Sequence, residues 1–338
     1  MDKDVLSYSV LGRIGEGAHG LVFKARHLPT GREVALKKIL IKNLEDGIPI
    51  NVMREIKSLQ LMRCKYIIKL YDMFPSGMSL VLVLEYMCSG LWKMLRHSPQ
   101  ELTLPRVKSY TQMLLKGTQY MHAHYVMHRD LKPANLLINH EGILKIADLG
   151  LARLYWPDGG RPYSHQVATR SSQRICNSTA SKTKICFLVY KCDLCRWYRA
   201  PELLYGARYY TEKVDIWAVG CIIAEMITKK PLFAGESDIE QLAIVLQHLG
   251  TPTEETWPRH CELPDYNKIT FPESPPMSWT DILPGVEPDA IHLVKSFILY
   301  DEKRRIPAKQ ALHHPWFRSR PFPTPLSEMP KPTGKISS

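Results

Sequence analysis

The stretch that most constrains this chain is His128-Arg129-Asp130-Leu131-Lys132-Pro133-Ala134-Asn135, followed at once by Leu136-Leu137-Ile138. It is a polar loop tied to an apolar anchor. The anchor needs burial, so the loop presents its acid, lysine and asparagine at the edge of a core. Asp130 can accept a proton. Lys132 can neutralise negative charge beside it. Asn135 can offer a carbonyl oxygen to a hard cation. A bare His-Arg-Asp triplet occurs by chance, whereas the whole string at this spacing is specific.

The chain before and after supplies companions for that loop. Gly15-Glu16-Gly17-Ala18-His19-Gly20 lies between two β-rich runs, Ile14 on one side and Leu21-Val22-Phe23-Lys24 on the other. A dinucleotide-binding glycine loop opens into a helix. This one reads instead as a hairpin tip, whose backbone N–H groups can approach a phosphate closely. A turn at Pro29-Thr30-Gly31 leads to the strand Glu33-Val34-Ala35-Leu36-Lys37, which sets Lys37 beside the hairpin. Pro49 suits a helix N-terminus, and Val52, Ile56 and Leu59 then share one helical face. Glu55 on that helix is the candidate partner of Lys37. Residues 80–86 form an apolar run of strand length. Glu85-Tyr86-Met87 reads as a hinge that offers backbone groups to adenine, with Leu84 guarding the pocket behind it. Residues 106–125 have helical periodicity. Leu144-Lys145-Ile146-Ala147-Asp148 is a short strand ending in an acid, and Asp148 is a second candidate metal ligand. Residues 215–223 are apolar on nearly every face, which predicts a buried helix.

Composition narrows the setting. The 338 residues suffice for two lobes, and 45% hydrophobic with 23% charged residues is a globular balance. No apolar run approaches the ~20 residues of a membrane helix. Met1-Asp2-Lys3-Asp4 begins no signal peptide, so the cytoplasm or nucleus is expected. The formal charge of +12 suits acidic partners or ATP. A nucleic-acid reader would need a basic stripe and a motif, and neither is present. Neither nucleic acid nor membrane insertion is therefore expected.

With these motifs placed, the chain resembles a eukaryotic protein kinase, and within that family the cyclin-dependent kinases, over about residues 8–318. It is most similar to the cell cycle-related kinase branch. The carrying strings are the glycine hairpin, Val107-Lys108-Ser109-Tyr110, His165-Gln166-Val167-Ala168-Thr169-Arg170, Leu203-Leu204-Tyr205-Gly206-Ala207-Arg208, and Glu262-Leu263-Pro264-Asp265-Tyr266-Asn267-Lys268-Ile269.

The resemblance implies an α+β fold of two lobes: a β-rich lobe at 8–87 and a helical lobe at 88–317. The proline-rich tail at 318–338 is expected to be extended or disordered. It implies ATP and Mg2+ as cofactors. The nucleotide would be held by Ile14, Gly15, Glu16, Gly17, Ala18, His19, Gly20, Leu21, Val22, Ala35, Lys37, Leu84, Glu85 and Met87. Asp130 would orient and deprotonate a substrate hydroxyl, Lys132 would stabilise the transferring phosphoryl group, and Glu55 would hold Lys37. Asn135 and Asp148 would hold the metal. Asp215 would brace the catalytic loop, and Glu202 would pair with Arg305. Ser164 stands where the family carries an activating phosphosite, with Arg54, Arg129 and Arg153 as its clamp. Thr169, Trp197 and Arg199 would form the substrate pocket. A cyclin or cyclin-like activator would dock on the helix at 46–59. Three departures from the family stand out. Leu149 follows the metal-binding acid in place of phenylalanine. Gly90 stands where relatives often place an aspartate near the ribose. Ala18 and His19 cannot be inhibitory phosphosites.

The last motif group is interrupted. In the family, Ala168-Thr169-Arg170 runs directly into Trp197-Tyr198-Arg199; here residues 171–196 intervene. Arg170 and Arg196 are interchangeable at the junction. Four of the eight cysteines, Cys176, Cys186, Cys192 and Cys195, fall in or at the end of this segment. It reads as a thiolate zinc loop, a family-specific loop, or a stretch not selected for this fold, and the abrupt change in composition favours the last. The expected function is Mg·ATP-dependent serine/threonine phosphorylation in cell-cycle or ciliary control, with other kinases among the substrates and the cilium as a further location. The alternative is a catalytically impaired variant that binds ATP and partners but docks substrate poorly.

Overall fold

The structure, a computed structural model, describes residues 7–17, 20–41, 48–155 and 195–332. Five antiparallel strands come first: β1 (Tyr8–Gly17), β2 (Gly20–His27), β3 (Glu33–Leu40), β4 (Leu70–Ser76) and β5 (Ser79–Glu85). Their spatial order is β1-β2-β3-β5-β4. The central strand β3 is covered on both faces, which explains the consecutive apolar residues Val34, Ala35 and Leu36. Val34 and Leu36 pack in a small cluster with Ala25, Phe74, Val81 and Val83. Ala35 and Ile39 point the other way, into the main core. Alternation along a strand puts Lys37 on the same face as Ala35 and Ile39, toward the helix that follows.

That helix, α1 (Ile50–Leu61), begins after Pro49. The expected span was 46–59. The described helix starts later, because proline lacks the N–H an earlier start would require, and it runs two residues further; residues 46 and 47 lie outside the described residues. Val52, Ile56 and Leu59 are buried together, as their spacing implies.

Helices dominate after Glu85. They are α2 (Leu91–His97), α3 (Leu104–Ala123), α4 (Pro201–Leu204), α5 (Lys213–Thr228), α6 (Asp238–Leu249), α7 (Trp279–Ile282), α8 (Pro288–Phe297) and α9 (Ala308–Ala311). Two short antiparallel sheets lie among them. One orders β6 (Ser89–Gly90), β8 (Leu136–Ile138) and β9 (Leu144–Ile146); the other pairs β7 (Val126–Met127) with β10 (Arg153–Leu154). Residues 214–226 of α5 are all buried, the all-round burial that its composition demands. Beside it Arg305 meets Glu202 through two bonds of 2.6 and 2.7 Å and lies over the Trp217 ring. No described helix is long and apolar enough to cross a membrane.

Through residue 332 the tail is largely without regular structure and is bonded to the helical lobe at α3; residues 333–338 lie outside the described residues. Proline bars these residues from a helix, but α3 supplies partners at its N-terminal turn. Thr324 N–H donates to the Pro105 carbonyl at 3.1 Å, and Ser109 Oγ donates to the Thr324 carbonyl at 2.7 Å. Lys108, wholly buried on α3, donates to the Ser319 carbonyl and hydroxyl and faces Glu287 and the Trp316 ring. Met329 is 2% exposed and abuts Gly142. Met329→Ala should therefore lower the unfolding free energy by about 2–5 kcal/mol, read by urea titration. A tail free in solvent would give no change.

Candidate active site

The apolar anchor places the catalytic string. Leu136 and Ile138 of β8 are fully buried, and Asn135 ends a single 3-10 turn just before them. Asn135 uses its amide hydrogens on Asp130: one bond to the carbonyl at 2.8 Å and one to Oδ2 at 3.1 Å. Its side-chain oxygen remains as the acceptor a cation needs. Lys132 Nζ donates to the same Asp130 Oδ2 at 2.8 Å. Burial pulls the Lys132 pKa down, but Asp130 and then Cys195 outweigh it, and the net shift is upward.

The loop backbone is strained and braced. Arg129 has φ 68° and Asp148 φ 61°, left-handed conformations that cost non-glycine residues about 1–3 kcal/mol each. Asp215 of α5 compensates at Arg129. Its two oxygens accept the backbone N–H groups of His128 and Arg129, both at 2.7 Å, and a third bond from His122 Nε2 at 3.0 Å. Burial pushes the Asp215 carboxyl up, yet bonds and charge from His122 and His128 prevail and hold it below its ordinary value. Asp130 N–H donates to His128 Nδ1, so the proton sits on Nε2, which donates to the Ala147 carbonyl at 3.0 Å. Leu149 is fully buried, so the substitution for phenylalanine keeps an apolar plug.

Across the cleft, Lys37 reaches Glu55 at 2.6 and 2.8 Å, both side chains buried. Burial lowers the lysine pKa; Glu55 and then Asp148 raise it above the ordinary value. The charge of Asp148 thus reaches Lys37 from the loop. The roof is the β1–β2 hairpin, where Gly17 pairs with Gly20. A Cβ on Gly20, at φ +148°, would lie 1.9 Å from the Lys38 carbonyl oxygen, so no side chain fits there. At the back, Ala35 pairs with Leu84 and both are buried. Glu85 is tied to Lys145 at 2.6 Å. Among the described residues the Met87 backbone N–H donates to no other backbone group, as a hinge that receives a base edge requires. A glycine roof, a buried cation and a hinge with a spare donor fit a nucleoside triphosphate. Asn135 and Asp148 fit Mg2+, which favours oxygen donors.

Arg54, Arg129 and Arg153 converge. Burial, then repulsion from Arg153 and Arg129, lowers the Arg54 pKa. Arg129 also donates to the Leu151 carbonyl and the Tyr210 hydroxyl, each at 2.8 Å. Ala18, His19, Ser164, Thr169, Cys176, Cys186 and Cys192 lie outside the described residues, so the phosphosite and the thiolate zinc loop are not described. Trp197 Nε1 donates to the Gly235 carbonyl at 3.0 Å, and Arg199 lies 3.8 Å from Asp238 at the start of α6. The drawn insert ends at Arg196, yet Arg196 is already built into this framework, bonded to the Glu236 carbonyl and 3.4 Å from Asp238. The sequence placed Cys195 only among the thiolates of the segment and gave it no part beside the catalytic string. Its sulfur accepts from Lys132 Nζ at 2.6 Å. The signal was present in the interchangeable Arg170 and Arg196, since either Thr169 or Cys195 can precede the arginine.

A family model described as protein kinase domain matches residues 8–317. Cyclin-dependent kinase 20 of Danio rerio is 54% identical over 326 residues, 96% of this chain and 87% of the relative. The chain belongs to the cyclin-dependent protein kinases. Cyclin-dependent kinase 20 of Homo sapiens is 51% identical with the same coverage. Cyclin-dependent kinase D-1 of Arabidopsis thaliana is 40% identical over 322 residues, 95% of this chain and 74% of the relative. The two-lobed arrangement of this kinase, with its β-rich N-terminal sheet and helical remainder, agrees with that membership.

Proposed function

We propose that this cyclin-dependent kinase is a serine/threonine kinase that uses Mg·ATP. The observation that carries the reading is the pairing of two cation–carboxylate sets, Lys37 with Glu55 and Lys132 with Asp130, on opposite sides of one cleft. Bound Mg·ATP supplies the transferable phosphoryl group. Lys37, held by Glu55, binds phosphate oxygens. Asn135 and Asp148 hold the metal. Asp130 orients the substrate hydroxyl and takes its proton, while Lys132 offsets charge that builds at the transfer point. Arg199 favours a proline after the phosphorylated residue. Phosphorylated Ser164 would dock on Arg54, Arg129 and Arg153.

The activator is a cyclin-like protein docked on α1. Ile48 and Ile50, 40% and 64% exposed at its start, offer it an apolar edge. The reading extends to cell-cycle or ciliary control, to other kinases as substrates, and to the cytoplasm, nucleus and cilium. A second reading, an ATP-binding protein that docks substrate poorly, rests on the segment at 171–196, which in sequence separates Thr169 and Arg170 from Trp197 and Arg199.

Peptides bearing Ser-Pro, Thr-Pro or Tyr-Pro should separate the possibilities in one assay with the full chain and a variant lacking residues 171–196. Transfer to serine and threonine but not tyrosine, stronger in the deletion variant, is expected. ATP binding by the full chain without transfer, with transfer restored in the deletion variant, would favour the second reading.

A further inference from the structure

Lys132 has two partners, and only one belongs to the catalytic string. Asp130 Oδ2 lies 2.8 Å from its ammonium and Cys195 Sγ 2.6 Å. Lys132 is 5% exposed, so water cannot replace a lost partner freely. The resemblance gives a place in the substrate pocket to Thr169, which stands two residues before Trp197 once the segment at 171–196 is set aside. Here Cys195 stands two residues before Trp197 and makes the contact.

We propose that Cys195 is a positioning residue for phosphoryl transfer: its thiol shares Lys132 with Asp130 and fixes where the ammonium stands. This rests on the kinase reading above. The division of labour follows from charge. Burial first, then Asp130, push the thiol pKa up, against the pull of Lys132. The sulfur is thus a neutral acceptor at neutral pH. It directs the ammonium without cancelling the positive charge that the transferring group needs. Asp130 alone would draw Lys132 onto the oxygen that must receive the substrate proton. A second acceptor holds the lysine off that oxygen for part of its bonding.

Three full-length variants test the role. Cys195→Ala should lower kcat about three- to tenfold, with KM for ATP and the melting temperature little moved. Cys195→Ser and Cys195→Thr should recover most of that loss, because a hydroxyl also accepts from an ammonium. A residue that merely fills space would be better replaced by alanine than by the polar pair, and that order of kcat would overturn the proposal. So would a kcat for Cys195→Ala equal to that of the parent chain.

An activity-independent readout separates this from the kinase assignment. Iodoacetamide labelling at Cys195, followed by peptide mass spectrometry, should slow several-fold in Lys132→Met, because the ammonium favours the thiolate. It should quicken in Asp130→Asn. Equal rates in all three chains would mean that sulfur and ammonium do not meet, and the proposal falls. If no chain transfers phosphate but the labelling order holds, the contact stands and the kinase reading fails.

Discussion

Asp130→Asn should lower peptide phosphorylation by about 10²–10⁴-fold, the usual worth of a positioned proton acceptor. The amide keeps the carboxylate's shape, and its oxygen can still receive the bonds that Lys132 and Asn135 give to Asp130. It cannot accept the substrate proton. The side chain lies at the cleft wall and is 13% exposed, so no large buried charge is orphaned, and the melting temperature should fall by a few degrees at most. Initial rates of transfer and a thermal melt on the same sample decide it. A variant that keeps half the parent rate would remove Asp130 from the chemistry.

Lys37→Met should remove transfer as well, but it does more. Sequence alone suggests a lysine needed for phosphate and dispensable to the core. The geometry differs: Glu55 is 2% exposed and both its oxygens are bonded to Lys37. Removing one member of such a pair leaves a buried charge without compensation, a loss of about 3–5 kcal/mol. For a chain of this size that is a fall on the order of 10 °C in melting temperature. The double variant Lys37→Met with Glu55→Leu should regain most of the stability and none of the activity. If the single variant melts with the parent chain, the pair is not buried as described. If the double variant transfers phosphate, Lys37 has no catalytic part.

The contrast shows which parts of the site could be read in advance. The loop at 128–135 was legible because its functional groups are contiguous and their spacing is itself the chemistry. Glu202 with Arg305 and Asp215 with the loop backbone are distant in sequence, and only resemblance pointed to them. Cys195 was obscured by a register choice: two arginines compete for one seat, and burial beside Lys132 decides. The docking of the tail on α3 was not legible, because proline content reports only what a segment cannot form internally. It says nothing of the carbonyl at Pro105 and the hydroxyl at Ser109 that wait to receive it. The start of α1 at 46 came from the resemblance, whereas Pro49, which suits a helix N-terminus, marks where the helix begins.

Lys108 has a consequence for the order in which the molecule is made. Its partners are Glu287, Trp316 and Ser319, the last 211 residues downstream. At a synthesis rate of about 5–20 residues per second, roughly 10–40 s pass between them. Throughout that interval α3 carries an ammonium that it cannot seat in an apolar core. The strands β1 to β5, by contrast, have all their ladder partners by residue 85. The N-terminal sheet can thus pair while the ribosome is still at work, whereas the helical lobe must hold α3 unsettled until Trp316 and Ser319 emerge. That short segment acts as the closing signal for the lobe, and a nascent chain stopped short of Ser319 is left with α3 unlocked.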